Sequence, residues 1–182
     1  MAKGTGAHER DEERPAVDVA ALLTPFGHEP FIGCTRLMLP SNGRIALPAH
    51  FRPMFGDSAR LLPVAGERVQ LYTPSSFEAV AKEIVASAAD MAVDGKPSSL
   101  IHPRSRKWFF MASTRVSVDA QGRFVLPAEL RGAVGIELGH EIVLAGADET
   151  IEIWSAPRFD AADGSQLGEI DMLLKDFPGF NR

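Results

Sequence analysis

A single cysteine, Cys34, a single tyrosine and two tryptophans are scattered through 182 residues. One cysteine forms no intrachain disulfide, and neither it nor the five histidines have partners at zinc-site spacing, so neither a metal nor a cofactor is expected. Cys34 reads as a small buried hydrophobe. No apolar run approaches the roughly 18 residues of a membrane span, and the charged start lacks the apolar core of a signal peptide. A cytoplasmic chain without a membrane partner is the expectation. No phosphate loop is present, and no nucleophile stands beside an evident base in a recognisable motif, so neither an enzyme nor a small-molecule substrate is expected.

Hydrophobic residues make up 45% of the chain, ordinary for a globular core, and the net charge is −5. That charge is unevenly placed. Residues 1–30 carry six acidic and three basic side chains, and residues 159–182 carry five acidic and two basic ones. Two stretches hold no acidic residue at all. Residues 31–56 contain Arg36, Arg44 and Arg52; residues 95–118 contain Lys96, Arg104, Arg106, Lys107 and Arg115. Screening confines each charge's reach to about 8–10 Å, so such basic islands can hold phosphate on an acidic chain, although a solvated charged face is the competing reading.

What the chain does contain is a repeat. Asn42-Gly43-Arg44-Ile45-Ala46-Leu47-Pro48-Ala49-His50-Phe51-Arg52 returns 79 residues later as Gln121-Gly122-Arg123-Phe124-Val125-Leu126-Pro127-Ala128-Glu129-Leu130-Arg131. The echo continues with Ala65-Gly66 against Ala145-Gly146, Tyr72 against Trp154 and Phe77 against Phe159. A period this long marks a duplicated half-domain and not a solenoid, so whatever the repeated turn does is displayed at least twice.

Within each copy, alternating residues predict a strand, a glycine turn and a second short strand: 35–39 and 44–47, then 115–118 and 123–126. Gly43 and Gly122 supply the positive φ of a tight reversal, and the Asp119 carboxylate can cap turn N–H groups. Pro48 and Pro127 fit the first position of short helices. Strands at 59–64 and 68–72, and at 141–145 and 150–154, are expected to bracket Ala-Gly turns. Ser75 to Glu78 reads as a capping box opening an amphipathic helix through Phe77, Val80, Ala81, Ile84, Val85 and Ala88. Residues 94–99 read as a linker. Trp108, Phe109, Phe110 and Met111 read as core, on a segment that is helical after Pro103. One half buries too little apolar surface alone, so the two should pair as a pseudo-twofold barrel.

Phe31-Ile32-Gly33 leading to Leu39, both glycine-arginine turns with their Leu-Pro-Ala sequels, and the Arg106-Lys107-Trp108-Phe109-Phe110 run resemble the MraZ family over residues 31–161. The resemblance implies a mainly β fold with short helices (α+β). Two tandem swapped-hairpin AbrB-like halves, 31–93 with the amphipathic helix and 94–161, would form a pseudo-twofold double-split β-barrel. A flexible acidic arm, 1–30, and an acidic tail, 162–182, would flank them. It further implies a cytoplasmic, nucleoid-associated transcriptional regulator, mainly a repressor of the division and cell-wall gene cluster including its own promoter. Such a protein binds short direct repeats in double-stranded DNA as a ring-like homo-oligomer. The family's Asp-x-x-x-Arg motif maps onto Asp119 and Arg123. In the first half Pro40 stands where the aspartate would be, and Asn42 and Gln121 stand where many relatives carry lysine.

The expected DNA-binding set is therefore Arg44 and Arg123, carried by Gly43 and Gly122 and aided by Asp119, with Arg36 and Arg115 adding backbone contacts. Arginine's fork of donors suits either guanine edges or phosphate. An internal salt bridge or a solvated turn is the competing reading for the two motif arginines. Arg52 and Arg131 read as interface or fold-stabilising ion pairs. The acidic arm is expected to oppose DNA binding through charge. The alternative function is an oligomeric protein-binding scaffold that has lost DNA recognition.

Overall fold

Each copy of the repeat folds as the same succession of four strands, β1 (Cys34–Met38), β2 (Arg44–Ala46), β3 (Ser58–Val64) and β4 (Arg68–Tyr72), answered by β5 (Thr114–Ser117), β6 (Arg123–Val125), β7 (Glu141–Ala147) and β8 (Thr150–Ser155). Helices α1 (Pro74–Asp90) and α2 (Pro103–Ala112) lie between the copies, and α3 (Ala128–Val134) follows β6. The computed structural model describes residues 28–90 and 103–162, the last seven of these being helical. The expected linker, most of the arm and nearly all of the acidic tail lie outside the described residues.

The hairpins β3–β4 and β7–β8 pair within a copy, and every other strand pairing crosses between the copies. A six-stranded antiparallel sheet runs β1-β7-β8-β4-β3-β5, and β2 pairs with β6 as a separate two-stranded ribbon. Exchanging the two copies returns the same order. β1 of the first half is hydrogen-bonded to β7 of the second, and β5 of the second to β3 of the first, which is the hairpin swap. Residue registers place Ile45 opposite Phe124 and Gln70 opposite Glu152. Both are repeat-equivalent pairs, so the pseudo-twofold axis passes through the middle of the ribbon and of the β4–β8 pair. The sheet and the ribbon form the two parts of the split barrel, a mainly β fold of two swapped-hairpin halves.

The core lies between them and obeys the repeat. Leu39 and Val118, Ile45 and Phe124, Leu47 and Leu126, Phe51 and Leu130, and Phe55 and Val134 are all buried, as are Leu61 with Leu144 and Leu71 with Ile153. Burying each such side chain contributes about 1.5–3 kcal/mol, which neither half could gather alone. The sheet's other face carries a second cluster in which Val143, Ala145, Trp154 and Ala156 pack with Phe159. Tyr72 meets Phe77 edge-on at 5.9 Å, as Trp154 meets Phe159 at 6.1 Å.

Several local expectations are corrected. The Ala145-Gly146 pair lies inside β7, and the following turn is centred on Asp148, at φ 57°. Gly146 is glycine because Phe31 and Ile32 cross it: an added Cβ would stand 2.6 Å from Phe31 C and Ile32 N. Pro127 occupies the N-cap position of α3, one residue before the helix, while the first copy forms only a 3-10 turn at Arg52–Met54, where Pro53 removes the N–H that a longer helix needs. The cap of α1 sits two residues earlier than expected, with Ser76 N donating to Thr73 Oγ1 at 3.0 Å. Cys34 is exposed, because on edge strand β1 it shares the outward face with Arg36 and Met38. Only Phe109 of the aromatic run is packed as core would be, stacked on Phe77 at 5.1 Å; Trp108, Phe110 and Met111 are exposed on α2.

Candidate nucleic-acid interface

The two glycine-arginine turns flank the ribbon and bring their arginines onto one surface. Gly43 and Gly122 adopt φ of 67° and 71°, the left-handed region that only glycine enters cheaply. Gly43 O accepts from Leu126 N and Gly122 O from Leu47 N, both at 2.9 Å, so each turn is sewn to the end of the other half's strand. In the ribbon Arg44 faces Val125, Ile45 faces Phe124 and Ala46 faces Arg123. Ile45 and Phe124 fill the core, and strand alternation therefore turns Arg44, Ala46, Arg123 and Val125 outward. Arg44 and Arg123 sit diagonally about the pseudo-twofold axis and line one open cavity of about 490 Å3 with Val125, Val116, Val118 and Asp119.

The second turn is the more tightly held. Asp119 Oδ1 accepts from Gln121 N and Arg123 N, each at 2.9 Å, and Oδ2 accepts from Arg123 Nε at 2.8 Å. The backbone closes it again, Asp119 N donating to Arg123 O at 2.9 Å. The Arg123 backbone N–H above all, with the guanidinium and the Gln121 N–H beside it, holds the Asp119 carboxyl below the usual carboxylate range. Because the folded value is the depressed one, this contribution is present above the unfolded value and is lost only as pH falls through the folded one. The anchor is thus intact throughout neutral and mildly acidic solution.

The first turn keeps one backbone bond of the second, Gly43 N donating to Pro40 O at 2.9 Å as Gly122 N donates to Asp119 O at 2.8 Å. Pro40 has no N–H and no carboxylate, and Asn42 Oδ1 accepts from Arg44 N at 3.0 Å instead. Asn42 thus takes over part of the work of Asp119, which its pairing with Gln121 in the repeat does not mark, although Asn-Gly is a strong turn signal in itself. The Arg44 side chain is exposed and has no carboxylate partner among the described residues.

Arg52 and Arg131 make backbone ties instead of ion pairs. Arg52 Nε donates to Leu47 O at 2.9 Å and Arg131 Nε to Leu126 O at 3.2 Å, each clamping the chain just beyond a ribbon strand. Arg52 also covers Gly122 so closely that a Cβ there would meet its Cγ at 2.5 Å. Arg36 and Arg115 are not brought to the ribbon. Leu37 and Val116 pack inward, so their neighbours point to the opposite face of the six-stranded sheet. There Arg36 is bound by Glu141 at 3.2 Å and by Asp160, and lies over the Phe159 ring at 5.8 Å. Arg115 lines a separate cavity with Arg60, Phe77 and Glu78.

Known proteins are similar to this chain. The family described as "MraZ protein, putative antitoxin-like" matches residues 109–165. A Symbiobacterium thermophilum protein named transcriptional regulator MraZ is 31% identical over 144 residues, covering 78% of this chain and 95% of that one. The chain belongs to the MraZ family. Further MraZ relatives, also named transcriptional regulators, occur in Dehalococcoides mccartyi, 28% identical over 150 residues, covering 82% of this chain and 99% of the relative, and in Thermomicrobium roseum, 28% identical over 131 residues, covering 72% and 85%. The MraZ likeness thus extends over both halves, and with it over both glycine-arginine turns.

Proposed function

We propose that the chain is a sequence-specific, DNA-binding transcriptional regulator whose contact surface is the β2–β6 ribbon. The observation that carries this reading is the convergence of Arg44 and Arg123, one from each half, on the outer face of a single two-stranded ribbon whose inner face is sealed into the core. The major groove of B-DNA admits a two-stranded β-ribbon, and outward arginines can meet guanine O6 and N7 or phosphate oxygens there. The names of the relatives favour the same function. Arg36 and Arg115, turned to the opposite face, are left out of the contact set, and Gly43, Gly122 and Asp119 act by shaping and holding the turns.

In its finer form the proposal is a nucleoid-associated repressor of the division and cell-wall gene cluster, including its own promoter, that grips short direct repeats as a ring-like homo-oligomer. Many modest ribbons on adjacent repeats gain avidity from local effective concentration. Exposed Trp108, Phe110 and Met111 on α2 offer apolar surface for assembly, and the same surface is what would favour a protein-binding scaffold instead. Binding of the purified chain to duplex DNA upstream of its own gene, over a salt series and against scrambled duplex, separates the two. Specific binding that weakens steeply with salt is expected of the regulator; equal, weak binding to both duplexes would favour the scaffold.

Light scattering at micromolar concentration is expected to give a mass above that of a dimer. Trp108→Ala should shift it downward while leaving the strand content unchanged. A monomer for the unaltered chain would remove the avidity argument.

A further inference from the structure

The ribbon is twofold in backbone but not in chemistry. Ile45 and Phe124 straddle the axis, and both turns hold glycine in the same conformation. Yet Asp119 grips Arg123 through Nε at 2.8 Å, whereas the equivalent position of the first half is Pro40. Asn42 replaces only one of the aspartate's two backbone bonds, accepting from Arg44 N at 3.0 Å.

We propose that the two arginines divide the work of recognition, Arg123 reading a base pair on one side of the pseudo-twofold axis and Arg44 gripping backbone phosphate on the other. This rests on the reading that the ribbon contacts DNA. An arginine whose Nε is fixed by a carboxylate keeps its two terminal nitrogens as a pre-aimed fork, so little side-chain entropy is lost when they meet guanine O6 and N7. Its positive charge is also compensated by Asp119, which weakens its pull on phosphate. Arg44 has the reverse properties: an uncompensated charge, which phosphate rewards, and a side chain that no partner tethers among the described residues, for which a fixed pair of base acceptors is entropically costly. A duplex element bound this way differs on its two sides, although the protein backbone that binds it is nearly symmetric.

The test is selection from a random duplex library by the full chain, with the enriched element scored on either side of its centre. The unaltered protein is expected to enrich strongly preferred base pairs on one side only. Asp119→Asn keeps Oδ1 as an acceptor for the turn N–H groups and puts an NH2 donor where Oδ2 held Arg123 Nε, so it separates aiming from folding. It should lower discrimination on that side by roughly 5- to 150-fold, the range of one bidentate contact, with scrambled-duplex binding not weakened. Arg44→Ala should weaken binding to all sequences alike and reduce the salt slope by about 1 without changing the enriched element. Pro40→Asp should add a mirrored preference on the second side; if it does not fold, the other two variants decide. A dyad-symmetric element for the unaltered chain, or a changed element for Arg44→Ala, would overturn the inference. A folded, assembled chain that enriches no sequence at all would instead sink the DNA-recognition reading beneath it.

Discussion

Replacing Phe31 with alanine is expected to lower stability to urea unfolding by about 3–5 kcal/mol, the usual cost of emptying a buried phenylalanine site. Phe31 is 1% exposed and is the point at which the chain enters the barrel. Its ring meets Phe51 edge-on at 5.1 Å and stacks on Phe55 at 5.6 Å, both from the first half. Its backbone is fastened to the second half, donating to Asp148 O at 2.6 Å and accepting from Asp148 N at 3.1 Å. One residue therefore joins the two copies through its side chain and its backbone at once. Gly146→Ala should act on the same joint, since the new methyl carbon would overlap the Phe31 and Ile32 backbone, and overpacking typically costs about 1–3 kcal/mol. A loss below about 1 kcal/mol for Phe31→Ala would mean that this segment is not part of the cooperative core.

Arg123→Ala is expected to weaken specific DNA binding by about 1–3 kcal/mol for each engaged ribbon, while the melting temperature and assembly stay near those of the unaltered chain. The side chain stands on the outer face of the ribbon and its partner Asp119 is half-buried at the rim, so the core is untouched. Because several ribbons of one assembly act together, the loss in overall avidity should exceed the loss per ribbon. Affinity measured on the promoter duplex and on a scrambled duplex checks this. An unchanged difference between the two would take Arg123 out of the specific contacts.

The repeat made much of the fold readable. Corresponding residues 79 apart mark positions with equal surroundings, and the pairs Leu39 and Val118, Leu47 and Leu126 are indeed buried alike. Strand alternation likewise predicts that Arg44 and Arg123 face outward once Ile45 and Phe124 face in. What sequence spacing does not contain is which strand lies beside which. The swap of β1 onto β7 and β5 onto β3 decides that Arg36 and Arg115 look away from the ribbon, and Glu141 and Asp160 reach Arg36 only through that pairing. Ala-Gly at 145–146 misleads for a related reason. Glycine is read locally as a turn former, but at Gly146 it answers a close crossing by a segment more than a hundred residues earlier. Trp108, Phe110 and Met111 look like core by composition, and their exposure on α2 depends on which face Phe109 docks against Phe77.

If the β2–β6 ribbon is the DNA-contacting surface, the Arg44→Ala/Arg123→Ala double variant must differ from the unaltered chain in DNA binding alone. Both are titrated onto the duplex upstream of the gene from low to high salt, with melting temperature and light scattering as controls. The expected result is an equally stable and equally assembled double variant whose affinity for that duplex falls to its affinity for scrambled DNA and whose binding depends less steeply on salt. A double variant with unaltered affinity and an unaltered salt slope would contradict it and place the DNA on another face of the protein.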